Sequence, residues 1–98
     1  MDKELRIIAL RELTMLAKDA SPRLIAPEEF EVEISRINSF DLLLFERLMG
    51  IERKFWSLQN PKLGEETTVI VPLLKLKDSK VCFIPSVVQE YLKELESE

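Results

Sequence analysis

The sequence has no histidine, only two glycines and a single cysteine, Cys82. Without histidine it lacks the side chain that most often moves protons near neutral pH and the commonest metal ligand. One cysteine cannot close an intramolecular disulfide, which excludes a self-cross-linked scaffold within these 98 residues. Cys82 sits inside a strand-like run with no histidine to activate it, so it reads as a buried, inert thiol. A zinc centre would need Cys or His ligands that are not there. No P-loop, no GxGxxG and no nucleophile elbow occurs. These absences predict a non-enzymatic protein without cofactor or metal. No apolar run approaches the roughly 18 residues that a membrane span needs. The opening "MDKELRIIALRELTML" intersperses charges where a signal peptide has an unbroken apolar stretch, which predicts a cytoplasmic location.

What is present is apolar and highly charged. Hydrophobic residues at 46% and charged residues at 33% exclude disorder by composition, and 98 residues suffice for a single domain with one modest core. The scarcity of glycine and the abundance of Leu, Ile, Glu, Lys and Arg give a stiff, charge-laced chain of a kind that suits a thermophile. The net charge of −4 argues against a protein that coats DNA non-specifically. Its distribution is uneven: residues 1–46 carry −4, residues 47–80 carry +3 and residues 81–98 carry −3.

The spacing of apolar residues predicts an amphipathic helix over 3–18, with Asp2 as N-cap and Leu5, Ile8, Ala9, Leu13 and Leu16 on its core face. Ile7 and Leu10 widen that face, which fits either one broad core face or a helix packed on two sides, against its own domain and a second subunit. "DASPR" breaks the helix, residues 23–26 read as a short extended segment, and Pro27 suits the first turn of another helix. Residues 29–37, "EFEVEISRI", fit two periods. Phe30, Val32 and Ile34 alternate with glutamates as in a strand, while Phe30, Ile34 and Ile37 recur at helical spacing; the "APEE" start favours helix. Glu28, Glu29, Glu31 and Glu33 lack the glycine and spacing of a calcium loop and read as a solvated acidic face. Asn38 and Ser39 offer capping oxygens for a long helix over 40–58 that contains Gly50. A turn-rich connection, "QNPKLGEE", leads to a hairpin of residues 67–76 and 80–84 across "KDS", with Pro72 marking an edge strand. A C-terminal helix follows Pro85, with Val87 or Val88, Tyr91 and Leu95 on one side.

This order predicts a small α+β domain of winged-helix-like type: helix, short strand, two helices, hairpin and terminal helix. On that reading Lys75, Lys77 and Lys80 at the hairpin tip, with Arg47, Arg53 and Lys54 from the preceding helix, would contact duplex DNA phosphates or a protein partner. Lysines on an edge strand also guard against edge-to-edge aggregation, and both roles fit the sequence. Ile7, Leu10, Val88, Tyr91 and Leu95 would line a homodimer or subunit interface.

Residues 71–85, "VPLLKLKDSKVCFIP", resemble part of the small β-domain of GINS replication-complex subunits. A V-P-L strand, a basic turn, a K-C-like strand and an I-P pair leading into a helix are matched by Val71, Pro72, Leu73, Lys80, Cys82, Ile84 and Pro85. The match needs a gap, and the tryptophan and alanine that normally follow V-P-L are missing. The resemblance implies a non-catalytic scaffold that joins replication proteins. Together these readings predict an interaction module, a small subunit or dimeric adaptor in a replication or transcription assembly, with a winged-helix DNA-binding regulator as the alternative.

Overall fold

A computed structural model describes residues 2–20, 29–56 and 68–98. They form a small α+β fold of three helices and five antiparallel strands. In chain order these are α1 (Asp2–Ala20), β1 (Phe30–Glu33), a 3₁₀ turn (Ile34–Arg36), α2 (Leu42–Met49), β2 (Glu52–Trp56), β3 (Thr68–Pro72), β4 (Lys75–Lys77), β5 (Lys80–Phe83) and α3 (Pro85–Ser97). The segments expected at 23–26, at Pro27 and at 59–66 lie outside the described residues. No helix among the described residues is long and apolar enough to cross a membrane.

Two sheets organise the chain. One has the strand order β1-β5-β4 and the other pairs β2 with β3. The helices close one core over the three-stranded sheet. α1 packs chiefly on α3 and also touches α2. Leu10 and Leu13 of α1, Phe45 and Leu48 of α2, Val81 and Phe83 of β5, and Val87 and Val88 of α3 are all buried there. Phe30 meets Phe83 edge-on at 5.6 Å, and Phe40 leans on Phe45 at 4.7 Å.

The structure corrects several expectations. Residues 29–37 are not a helix: Phe30–Glu33 is a strand followed by the 3₁₀ turn. The period-two pattern prevailed because Val32 is buried while Glu31 and Glu33 stay exposed, and because β5 satisfies the backbone of β1. The long helix expected over 40–58 stops at Met49. Gly50 caps it, donating its N–H to the carbonyls of Glu46 and Arg47, and residues 52–56 leave as strand β2. Pairing with β3, in register from Glu52–Pro72 to Trp56–Thr68, overrode the helical spacing of the apolar residues. The N-cap of α2 is Asp41, whose carboxylate accepts from the Leu44 N–H at 2.9 Å; it is neither Asn38 nor Ser39.

The expected hairpin is also divided. β3 pairs with β2, and only the short β4 pairs with β5. Between β3 and β4 the chain drops Leu73 and Leu74 into the core, and Leu73 donates its N–H to the Ile51 carbonyl at 2.9 Å. The β4–β5 turn has two central residues, Asp78 (φ 49°) and Ser79 (φ 65°), both left-handed as a tight hairpin of right-twisted strands requires. Pro72 ends β3 in a two-stranded sheet, where a missing donor does little harm.

Candidate interaction surface

Two groups of site residues were expected, and they meet at one point, where Arg53 stacks on Tyr91. Of the proposed phosphate contacts, Lys75, Lys77 and Lys80 lie on the outer face of the three-stranded sheet and Arg53 lies beside α3. Glu31, Cys82 and Lys75 align across β1, β5 and β4, and Glu33, Lys80 and Lys77 align in the same way. Side chains alternate along a strand, so the lysines share one face with the glutamates of β1. Lys75 Nζ stands 2.8 Å from a Glu29 carboxylate oxygen, and that ion pair is what pushes its pKa up. Lys75 is therefore answered by Glu29, just before β1, and the lysines share their sheet face with Glu31 and Glu33.

Cys82 is buried at the centre of this face, with Sγ 3.5 Å from Glu31 Oε2. Burial raises its pKa, and the neighbouring Glu31 raises it further, which keeps the sulfur protonated. Glu29, Glu31 and Cys82 bring ligand-type atoms close together, but the Lys75 ammonium already supplies a positive charge to Glu29.

The three remaining basic residues are dispersed. Arg53 lies 5.4 Å from the centre of the Tyr91 ring and forms a 2.6 Å ion pair with Glu94, which raises the arginine pKa and lowers that of Glu94. Arg47 pairs with Asp2 at 3.3 Å. The side chain of Lys54 lies outside the described residues.

The expected oligomer interface requires correction. Leu10, Val88, Tyr91 and Leu95 are buried in the core of the chain itself, and Ile7 is half-buried against the same core. Each lies where α1 meets α3 or beside that contact. Tyr91 is held from both sides, since Arg6 donates to its hydroxyl at 3.2 Å and Arg53 stacks on its ring.

Exposed apolar side chains remain on the opposite side of α1 and at the start of α2, and separately at Ile70 of β3 and Leu76 of β4. Leu5, Ile8 and Met15 are 54, 55 and 58% exposed, and Leu42 and Leu43 at the start of α2 are 54 and 71% exposed. Leu5, Ile8, Met15 and Leu43 line two grooves that share Ile8 and Ser39. One groove, of about 330 Å³, runs between α1 and α2 past Asp2, Leu5 and Leu43. The other, of about 450 Å³, continues past Glu12, Met15 and Arg36. Sequence periodicity assigned Leu5 and Ile8 to the core, because a helix with two apolar sides gives no indication of which side is covered.

Glu12 fixes the floor of this surface. Its carboxylate accepts from the backbone N–H groups of Asn38 at 2.7 Å and Ser39 at 2.8 Å, and from the Ser39 hydroxyl. Burial pushes the Glu12 pKa up, but these hydrogen bonds outweigh it, so the carboxyl stays below its ordinary range. At the end of the patch nearest the N-terminus, Asp2 accepts from Arg6 at 2.9 Å and pairs with Arg47; the Arg6 hydrogen bond is the main cause of its lowered pKa. The result is an apolar stripe with ordered, charged margins. Comparison of the chain with family models, with curated proteins and with solved structures finds no match.

Proposed function

We propose that this chain is a non-enzymatic interaction module, a small subunit or dimeric adaptor, that engages protein through the α1–α2 face. The observation that carries this reading is the concentration of the exposed Leu5, Ile8, Met15 and Leu43 along two adjoining grooves. Large apolar side chains gathered in one patch with a polar margin are characteristic of contact surfaces, whereas scattered ones are ordinary. A replication or transcription assembly is the setting suggested by the resemblance of residues 71–85 to GINS subunits; of the winged-helix-like order the β4–β5 hairpin remains as a wing, while the expected second helix is replaced by strand β1.

The alternative, a winged-helix DNA-binding regulator, draws on the exposed Lys77 and Lys80. Two features weigh towards protein. The lysines share their sheet face with Glu31 and Glu33, and α2, eight residues long, presents Leu42 and Leu43 where a groove-reading helix would present polar groups.

Photo-crosslinking in cells tests the proposal. A benzophenone amino acid at Leu43 should give a covalent protein adduct of defined mass, while the same probe at Lys93, exposed on α3, should give none. Absence of an adduct at position 43 would remove the proposal.

A further inference from the structure

The same face has a pattern that specifies its occupant. Leu5, Ile8, Glu12, Met15 and Asp19 follow one another at intervals of three and four residues, the a/d spacing of a two-helix seam. Leu5, Ile8 and Met15 are exposed. Glu12, in the middle of the stripe, does not present a bare charge, because its carboxylate is turned onto the backbone N–H groups of Asn38 and Ser39.

One border of the stripe runs from negative to positive, while Asp2 is paired with Arg6 and Arg47 at one end and Asp19 lies beside Lys18 at the other. Asp2 and Glu4 stand at the start of α1; Lys18 stands at its end, and Arg36 lines the groove there. Glu4, Arg11 and Lys18 are spaced by seven and line one border of the stripe, all of them exposed. An identical helix laid antiparallel across the stripe brings Glu4 of each copy to Lys18 of the other. It also brings Leu5 opposite Met15, twice over. A parallel pairing would set like charge against like. Arg11, which meets its own equivalent at the centre, is already engaged with Glu96 of its own chain at 3.5 Å.

We propose that the occupant of this face is a second copy of the chain, bound through antiparallel α1–α1 packing about a two-fold axis, with Leu43 flanking the helix pair. The proposal rests on the interaction-module reading above and commits it to self-association. An isologous contact of this kind closes on itself and leaves no unpaired patch. At 1.5 Å per residue the helix is about 28 Å long, enough with the α2 margin to approach the roughly 800 Å² per partner of a standard interface.

Sedimentation equilibrium on the purified full chain should give twice the 11.4 kDa of one copy. Ile8→Glu should give 11.4 kDa with an unchanged far-UV circular dichroism spectrum, since Ile8 contributes little to the core. Charge reversal provides a second measurement that does not touch the apolar residues. Glu4→Lys and Lys18→Glu should each weaken the dimer by about fivefold, because two symmetric exposed pairs are lost, and the double variant should restore it. A monomer at every concentration overturns the proposal, as does a double variant no tighter than the single ones. If the chain is monomeric yet the Leu43 probe still captures a different protein, self-pairing falls and the interaction-module reading stands. If neither occurs, both fall.

Discussion

The Glu12 carboxylate of α1 accepts from the Ser39 N–H at 2.8 Å and from its hydroxyl, fastening the first helix to the loop that leads into the second. Twenty-seven residues separate the pair in sequence, so the contact holds two distant segments at a fixed spacing and shapes the floor of the α1–α2 groove.

Removing this carboxylate should loosen the whole face. Glu12→Ala is expected to cost about 2 kcal/mol, since hydrogen bonds to a charged acceptor are worth more than neutral ones and the two N–H groups lose their partner. Glu12→Gln should cost less, because an amide oxygen still accepts. The folded-state pKa of Glu12 is lowered, so its contribution is complete above the unfolded carboxylate range near about 4.3 and is lost as pH falls through the folded value. Urea denaturation across a pH series should therefore show a shallower acid decline in Glu12→Gln than in the parent chain.

The two glycine questions have opposite answers. At Gly50 the backbone is right-handed, with φ −76°, and an added Cβ would come no closer than 3.4 Å to the Arg47 carbonyl oxygen. Gly50→Ala should fold normally and gain up to about 0.5 kcal/mol from the unfolded chain's lost freedom. Ser79 is left-handed with φ 65° and has no glycine to ease it. Ser79→Gly should raise stability by about 1 kcal/mol, the usual cost of that conformation for an L-residue. Thermal melts of both variants check the pair.

Phe45 and Leu42 differ in consequence although they are close neighbours on α2. Phe45 is fully buried against Phe40, so Phe45→Ala should cost about 3 to 5 kcal/mol, a large part of the stability of a small domain. Leu42, 54% exposed, should cost the folded monomer less than about 0.5 kcal/mol when cut to alanine. Chemical denaturation of the two in an Ile8→Glu background isolates the monomer from any effect on association.

The lysines of β4 and β5 give a prediction about salt. Replacing Lys75, Lys77 and Lys80 together leaves Glu29, and Glu31 and Glu33 on the sheet face, without their counter-charges. The triple alanine variant should lose about 1 kcal/mol or less at low ionic strength, and most of that loss should vanish in 1 M salt. A loss that does not change with salt would mean that packing of the lysine stems, and not charge, is responsible.

Cys82 supplies a clean probe of the fold. Buried, and with its thiol pKa raised by that burial and by Glu31, it should resist maleimide labelling in the native protein and react readily once denaturant unfolds the chain.

Local patterning alone determined several elements. Helical spacing of apolar residues marked the first helix and the last, and the Asp78–Ser79 turn between apolar runs marked the β4–β5 hairpin. Composition excluded a histidine-based or disulfide-based chemistry. Each of these depends on residues a few positions apart, which is the range over which backbone preference and side-chain period act.

Tertiary structure decided the rest. "EFEVEISRI" carries both periods, and only the presence of β5 beside it made it a strand. Residues 52–56 follow a helical spacing, and the partner strand at 68–72 turned them into a sheet. α1 has apolar residues on two sides, and its packing on α3 buried Leu10 and Leu13 while leaving Leu5, Ile8 and Met15 in solvent. The lysines that looked like a basic wing proved to share a sheet face with glutamates more than forty residues away in the chain. A sequence records how apolar or charged each residue is; which of its apolar faces is covered, and which charges are answered, depends on the partner the fold brings alongside.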